Sequence, residues 1–151
     1  MQLHKLIGGL ILLTASSLVA AEPPKQDEVK NDLNEILGTW QVTAMEADGM
    51  AGPAEIVKKL KLIFKDDKLT FTPGEPGFTQ YTFKLDPNTK PASFDMTHAD
   101  GSKKGETKKG IYLLESDRLK ICFGHEDDRP KELTAEAESE QVMYTLRRKK
   151  P

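Results

Sequence analysis

Downstream of residue 21 the chain carries two histidines, His98 and His125, and a single cysteine, Cys122. These are the side chains best suited to metal binding or nucleophilic chemistry. Cys122 and His125 stand three apart, and His125 is followed by Glu126, Asp127 and Asp128. A zinc site needs three or four converging ligands. Side chains three apart on a strand start on opposite faces, so this spacing does not converge and no metal is expected. The acidic run lacks the alternating ligand spacing of a calcium loop. No G-x-S-x-G nucleophile elbow is present. With 24 carboxylates in the chain, a pair of them carries no signal without a pocket. A hydrolase or isomerase would need Cys122 and His98 or His125 in one cleft, in reach directly or through one water. Between Ile121 and Phe123, Cys122 reads instead as an inert packed thiol. Catalytic residues and cofactors are therefore expected to be absent.

Arg129, fixed before Pro130, is a candidate contact for an anionic ligand, because guanidinium binds oxyanions bidentately. The same residue has structural partners on offer: Asp127 or Asp128 in its loop, or a carboxylate on a neighbouring strand. The lysine clusters KKLK from Lys58 and KKGETKK from Lys103 read as solvated faces.

The elements that must hold these residues are hairpins. In KGIYLLESDRLKICFGHEDDRP, Lys109 to Pro130, a turn at Ser116-Asp117 sets Leu114 opposite Leu119 and Tyr112 opposite Ile121. Ile111, Leu113 and Cys122 then share the other face, so this hairpin is expected to be covered on both sides. An earlier stretch, KLIFKDDKLTFTPG from Lys61 to Gly74, repeats the pattern: a turn at Asp66-Asp67 sets Phe64 opposite Leu69 and Leu62 opposite Phe71. Phe78 to Leu85 and Ser93 to Thr97 form a further pair around Asp86-Pro87-Asn88. Leu133 to Ala137 and Val142 to Leu146 are expected as a last hairpin. Gly38-Thr39-Trp40 opens the first strand, with Trp40, Val42 and Ala44 on one face. Before it, Val29, Leu33, Ile36 and Leu37 recur at helical spacing and predict one amphipathic helix of about ten residues ending near Gly38. A single helical turn is expected after Gly52-Pro53. Some eight or nine evenly spaced short strands predict an all-β antiparallel meander, either a barrel or a sandwich. Closure as a barrel would also remove exposed strand edges.

Lys5, the apolar run from Leu6 to Leu13 and the small residues Val19-Ala20-Ala21 predict a secretory signal peptide over residues 1–21. A linker at 22–26 and one domain over 27–151 would follow. Past residue 21 there are 21 basic residues, Lys5 alone being lost from 22, against 24 acidic ones. That balance predicts neither nucleic-acid binding nor strong membrane attraction. No second long apolar stretch exists, so the exported product, periplasmic or extracellular, is expected not to span a membrane and to be monomeric. One cysteine cannot form an internal disulfide, which leaves stability to packing.

Gly38-Thr39-Trp40 resembles the G-x-W of lipocalins. The set GTW, FKLDPNTKP, DGSKKGETKKGIY, DRLKICF and RP resembles a paralogous family of small exported domains in planctomycete bacteria. The resemblance runs from about Leu37 to Arg148. It implies a lipocalin-like barrel and no established activity. It also implies that Trp40 lies at the barrel floor under a basic residue of the last strand, Arg147 or Arg148. The family's aromatic residue shortly after Arg-Pro is replaced here by Glu132-Leu133.

Two functions from different classes follow. In the first, the barrel binds a small apolar or anionic ligand without catalysis, and Trp40, Phe64, Phe71, Phe83, Tyr112, Ile121 and Tyr144 line its cavity. In the second, those residues fill a narrow barrel, and the charged loops Ala99–Lys109 and His125–Glu132 bind an envelope protein.

Overall fold

The structure is a computed structural model describing residues 26–75 and 78–150. The expected signal peptide and residues 22–25 of the expected linker lie outside the described residues. Gln26 already belongs to the first helix, α1, Gln26–Ile36.

Among the described residues nine strands follow: β1 Gly38–Ala47, β2 Met50–Ala51, β3 Lys61–Lys65, β4 Lys68–Glu75, β5 Phe78–Asp86, β6 Ser93–His98, β7 Thr107–Glu115, β8 Arg118–Phe123 and β9 Val142–Arg148. Neighbours pair antiparallel in the order β1-β3-β4-β5-β6-β7-β8-β9, and β9 returns to β1. The result is a closed eight-stranded up-and-down barrel, with the two-residue β2 appended to the end of β1. A lipocalin-like all-β fold is thus present, and the barrel alternative is the one realised. Among the described residues no helix is long and apolar enough to cross a membrane.

The two hairpins adopt the register their alternation dictates. Phe64 pairs with Leu69 and Leu62 with Phe71; Leu114 pairs with Leu119 and Tyr112 with Ile121. Both turns place their first residue, Asp66 (φ 55°) or Ser116 (φ 48°), in the left-handed region that tight hairpin turns use. The β5–β6 connection is held by Asp86, whose Oδ1 accepts from the Asn88 backbone and side-chain N–H groups at 3.0 and 3.2 Å. This is the Asx geometry that aspartate supplies to turns.

Three expectations need correction. Ala44 does not face inward: a bulge between Val42 and Ala44 shifts the register of β1 on β9, leaving Ala44 exposed and turning Met45 toward the core. Leu133 to Ala137 forms no strand. Instead the segment between β8 and β9 runs over the outside of the sheet, where Cys122 donates to the Thr134 carbonyl at 3.1 Å and Gly49 N–H donates to Ala135 at 2.5 Å. Finally, Leu37 lies past the end of α1 and is 36% exposed, so the helix's buried stripe rests on Ile36 and Leu33.

The core sits inside the barrel, toward the end where β1 begins. Phe64, Phe83 and Phe94 pack there edge-to-face and stacked, with centroids 5.1 to 6.1 Å apart, as aromatic quadrupoles prefer. Trp40, Leu62, Leu119, Ile121 and Leu146 complete it, all fully buried.

Candidate functional site

The two ends of the barrel differ, and the difference defines the site. At the end where β1 begins, α1 closes the floor. Ile36 is fully buried, and its carbonyl accepts from Trp40 Nε1 at 2.8 Å. The Arg148 guanidinium lies 4.3 Å from the centre of the Trp40 ring. It donates at 3.0 Å to the Leu37 carbonyl and also to that of Glu35. Those are carbonyls the helix leaves open at its C-terminus, so one arginine caps α1 and covers the tryptophan. Of the two basic residues expected over Trp40, Arg148 is the one in place. On the far side of the floor the Tyr112 hydroxyl donates to Asp32 of α1 at 2.5 Å. Burial, and then the Asp32 carboxylate, raise the phenol well above its ordinary value of 10.0, so it stays protonated as a donor.

The opposite end is open. A cavity of about 520 Å³ enters the barrel there, within the range of about 300–1,000 Å³ usual for small-molecule sites. Its walls are apolar: Met45, Leu60, Phe71, Tyr81, Met96 and Tyr144. Phe71 stands edge-on to Tyr81 and Tyr144 at 5.4 and 6.0 Å. The rim is polar, with Lys59, Lys103, Lys108 and Glu55 beside Ile56 and Pro73. Ile56 belongs to the short helix α2, Ala54–Val57, and is 54% exposed. The Gln41 side-chain amide holds the end of α2 through the carbonyls of Val57, Lys58 and Leu60 at 3.0–3.3 Å.

His98 reaches the cavity from the end of β6, with its ring 4.7 Å from that of Tyr81. It is 7% exposed. Burial lowers its pKa below 6.5, and the positive charges of Lys108 and Lys103 lower it further, against smaller opposing effects of Glu106 and Asp100. The imidazole is therefore neutral at pH 7, in a field set by lysines.

Of the seven residues expected to line a cavity, Phe71 and Tyr144 do so. Trp40, Phe64, Phe83, Tyr112 and Ile121 lie deeper, in the packed half of the core. The barrel is thus filled at its floor and open at its mouth. Met45, Tyr81, Met96, His98 and Lys108 were missing from the expected lining. Along β6, Phe94, Met96 and His98 alternate onto the inward face, so the strand expected over Ser93 to Thr97 carries His98 inside when extended by one residue. Likewise the inward series on β7 runs from Tyr112 through Gly110 to Lys108, which pairs with Met96. Lys108 is solvent-exposed, as its cluster predicts, and stands on the inward-facing register at the mouth of the cavity.

Arg129 is engaged inside the protein. Its guanidinium makes bidentate contacts of 2.6 and 3.1 Å with Asp95 of β6 and donates to the Gly110 carbonyl at 2.6 Å. The neighbouring-strand partner is the realised one, and the contact pins the β8–β9 segment to the sheet. Arg129 is no part of the cavity lining.

Cys122 faces the outside of the barrel beneath that segment, fully buried, and burial raises its pKa. His98 faces the inside, and His125 is exposed beside Glu126 and Glu140 at 3.6 and 3.5 Å. Cys122 and His98 are separated by the sheet itself and share no cleft. Among the described residues no group of three or more His, Cys, Asp or Glu is placed to hold a metal ion.

Compared with family models, curated proteins and solved structures, the chain matches none.

Proposed function

We propose that this protein is an exported, non-enzymatic carrier that takes a small apolar or anionic ligand into the open end of its barrel. On this reading it is one of the exported lipocalin-like domains whose motifs it resembles. The observation that carries the proposal is the half-open barrel, with apolar walls around about 520 Å³ above a sealed floor. An apolar cavity of that size, reached from solvent, is stabilised when a ligand replaces water against its walls.

The test is a binding titration with two probes, dodecanol and the fluorescent sulfonate ANS, on the wild type and on Met45→Trp. The added indole should occupy the cavity from its β1 wall. Saturable one-to-one binding to the wild type, lost in a Met45→Trp variant that still unfolds cooperatively, is the expected result. A bound ligand at about 100 times its Kd should also stabilise the fold by about 2.7 kcal/mol. Failure of the wild type to bind either probe would overturn the carrier reading in favour of a loop-mediated protein contact.

A further inference from the structure

Lys108 occupies a register position that points into the barrel, directly across from Met96. Lysine at such a position is costly unless its ammonium keeps water or gains an anion. Lys103, from the β6–β7 loop, joins it at the rim, and Lys59 faces them from the α2 side. The cavity lining thus carries three lysines against one glutamate, and that glutamate, Glu55, already has Lys58 at 3.7 Å. Lys109, next to Lys108, is paired with Asp127 at 3.8 Å. Among the described residues Lys59, Lys103 and Lys108 have no carboxylate within 4.0 Å.

We infer that the ligand is an amphiphile with one anionic headgroup, its tail against Phe71, Tyr81, Met96 and Tyr144 and its headgroup between Lys103 and Lys108. This rests on the cavity being a ligand site. A wholly apolar ligand would bring a low-dielectric body up to the lysines with nothing to offset their lost hydration. A small inorganic anion would leave the aromatic walls wet. Only a molecule with both parts satisfies wall and rim together. His98 is buried against the cavity, and burial first, then the positive field of Lys108 and Lys103, lowers its pKa against smaller effects of Glu106 and Asp100. A bound anion cancels part of that field, so His98 reports on headgroup charge.

The experiment compares dodecanoate with dodecanol, below micelle-forming concentrations, and follows the His98 imidazole by NMR across pH. Dodecanoate should bind about tenfold more tightly at low salt, an advantage that shrinks as salt is added. In the Lys103→Gln/Lys108→Gln double variant the ratio of the two affinities should fall toward one. Lys104→Gln, on the same loop but outside the cavity lining, should keep the wild-type ratio. Dodecanoate, and not dodecanol, should raise the pKa of His98. Equal affinities for acid and alcohol, or a ratio that survives in the double variant, would overturn the inference while leaving the carrier intact. Failure of both compounds to bind would remove the carrier reading beneath it.

Discussion

Arg148 does three jobs from one position: it caps the C-terminus of α1, covers Trp40 and ends β9. Its planar fork matters as much as its charge, because lysine cannot reach two carbonyls and an aromatic face in one geometry. Arg148→Lys should therefore destabilise the fold by about 1–2 kcal/mol. The measurement is a urea unfolding curve, with the midpoint lowered and the slope unchanged. The same residue shows what single positions disclosed in advance. A basic partner for Trp40 followed from likeness to lipocalins, but the choice between Arg147 and Arg148 needed the register of β9 on β1, in which Trp40 faces Arg148. Arg129 illustrates the converse. Its chemistry suits an anion, and the anion it meets is Asp95, 34 positions away, which no local pattern could select.

Among the elements, hairpins were legible and connections were not. Phe64 opposite Leu69 and Leu114 opposite Leu119 follow from alternation and a two-residue turn, since a slip of one residue would turn every apolar side chain outward. The bulge in β1 has no such signature: Thr43 is an ordinary strand residue, and only the pairing with Thr145 reveals that it is extra. The segment 124–141 misleads for a different reason. Leu133, Thr134 and Ala135 suit a strand, but they cover the outer face of β7 and β8, where Ile111 and Cys122 would otherwise meet water. Leu113, the third residue expected on that covered face, stays 42% exposed. Gly124 begins the cover because a Cβ there would lie 1.7 Å from the Asp128 carbonyl oxygen. Gly124→Ala should shift the segment and cost about 1–3 kcal/mol. Cys122, buried and with its pKa raised by burial in the wild type, should then react measurably faster with thiol reagents. Lys104→Ala, at an exposed position of the β6–β7 loop away from this segment, should leave Cys122 protected.

For the whole molecule, the decisive feature is the unequal filling of one barrel. Both halves present alternating apolar residues, so periodicity alone cannot separate a packed interior from an open one. What separates them is the floor. The helix brings Ile36 and Leu33 down on one end, whereas among the described residues the other end receives α2 and polar loops. The protein has four methionines placed to report this directly. Met45 and Met96 line the cavity; Met50 is 69% exposed on β2, and Met143 pairs with Cys122 on the outward face of β9. The most direct measurement is therefore methionine-methyl NMR during a titration with dodecanoate. Shifts at Met45 and Met96 that saturate together, with Met50 and Met143 unmoved, are the predicted result. Shifts confined to Met50 or Met143, or none at all, would contradict a ligand inside the barrel.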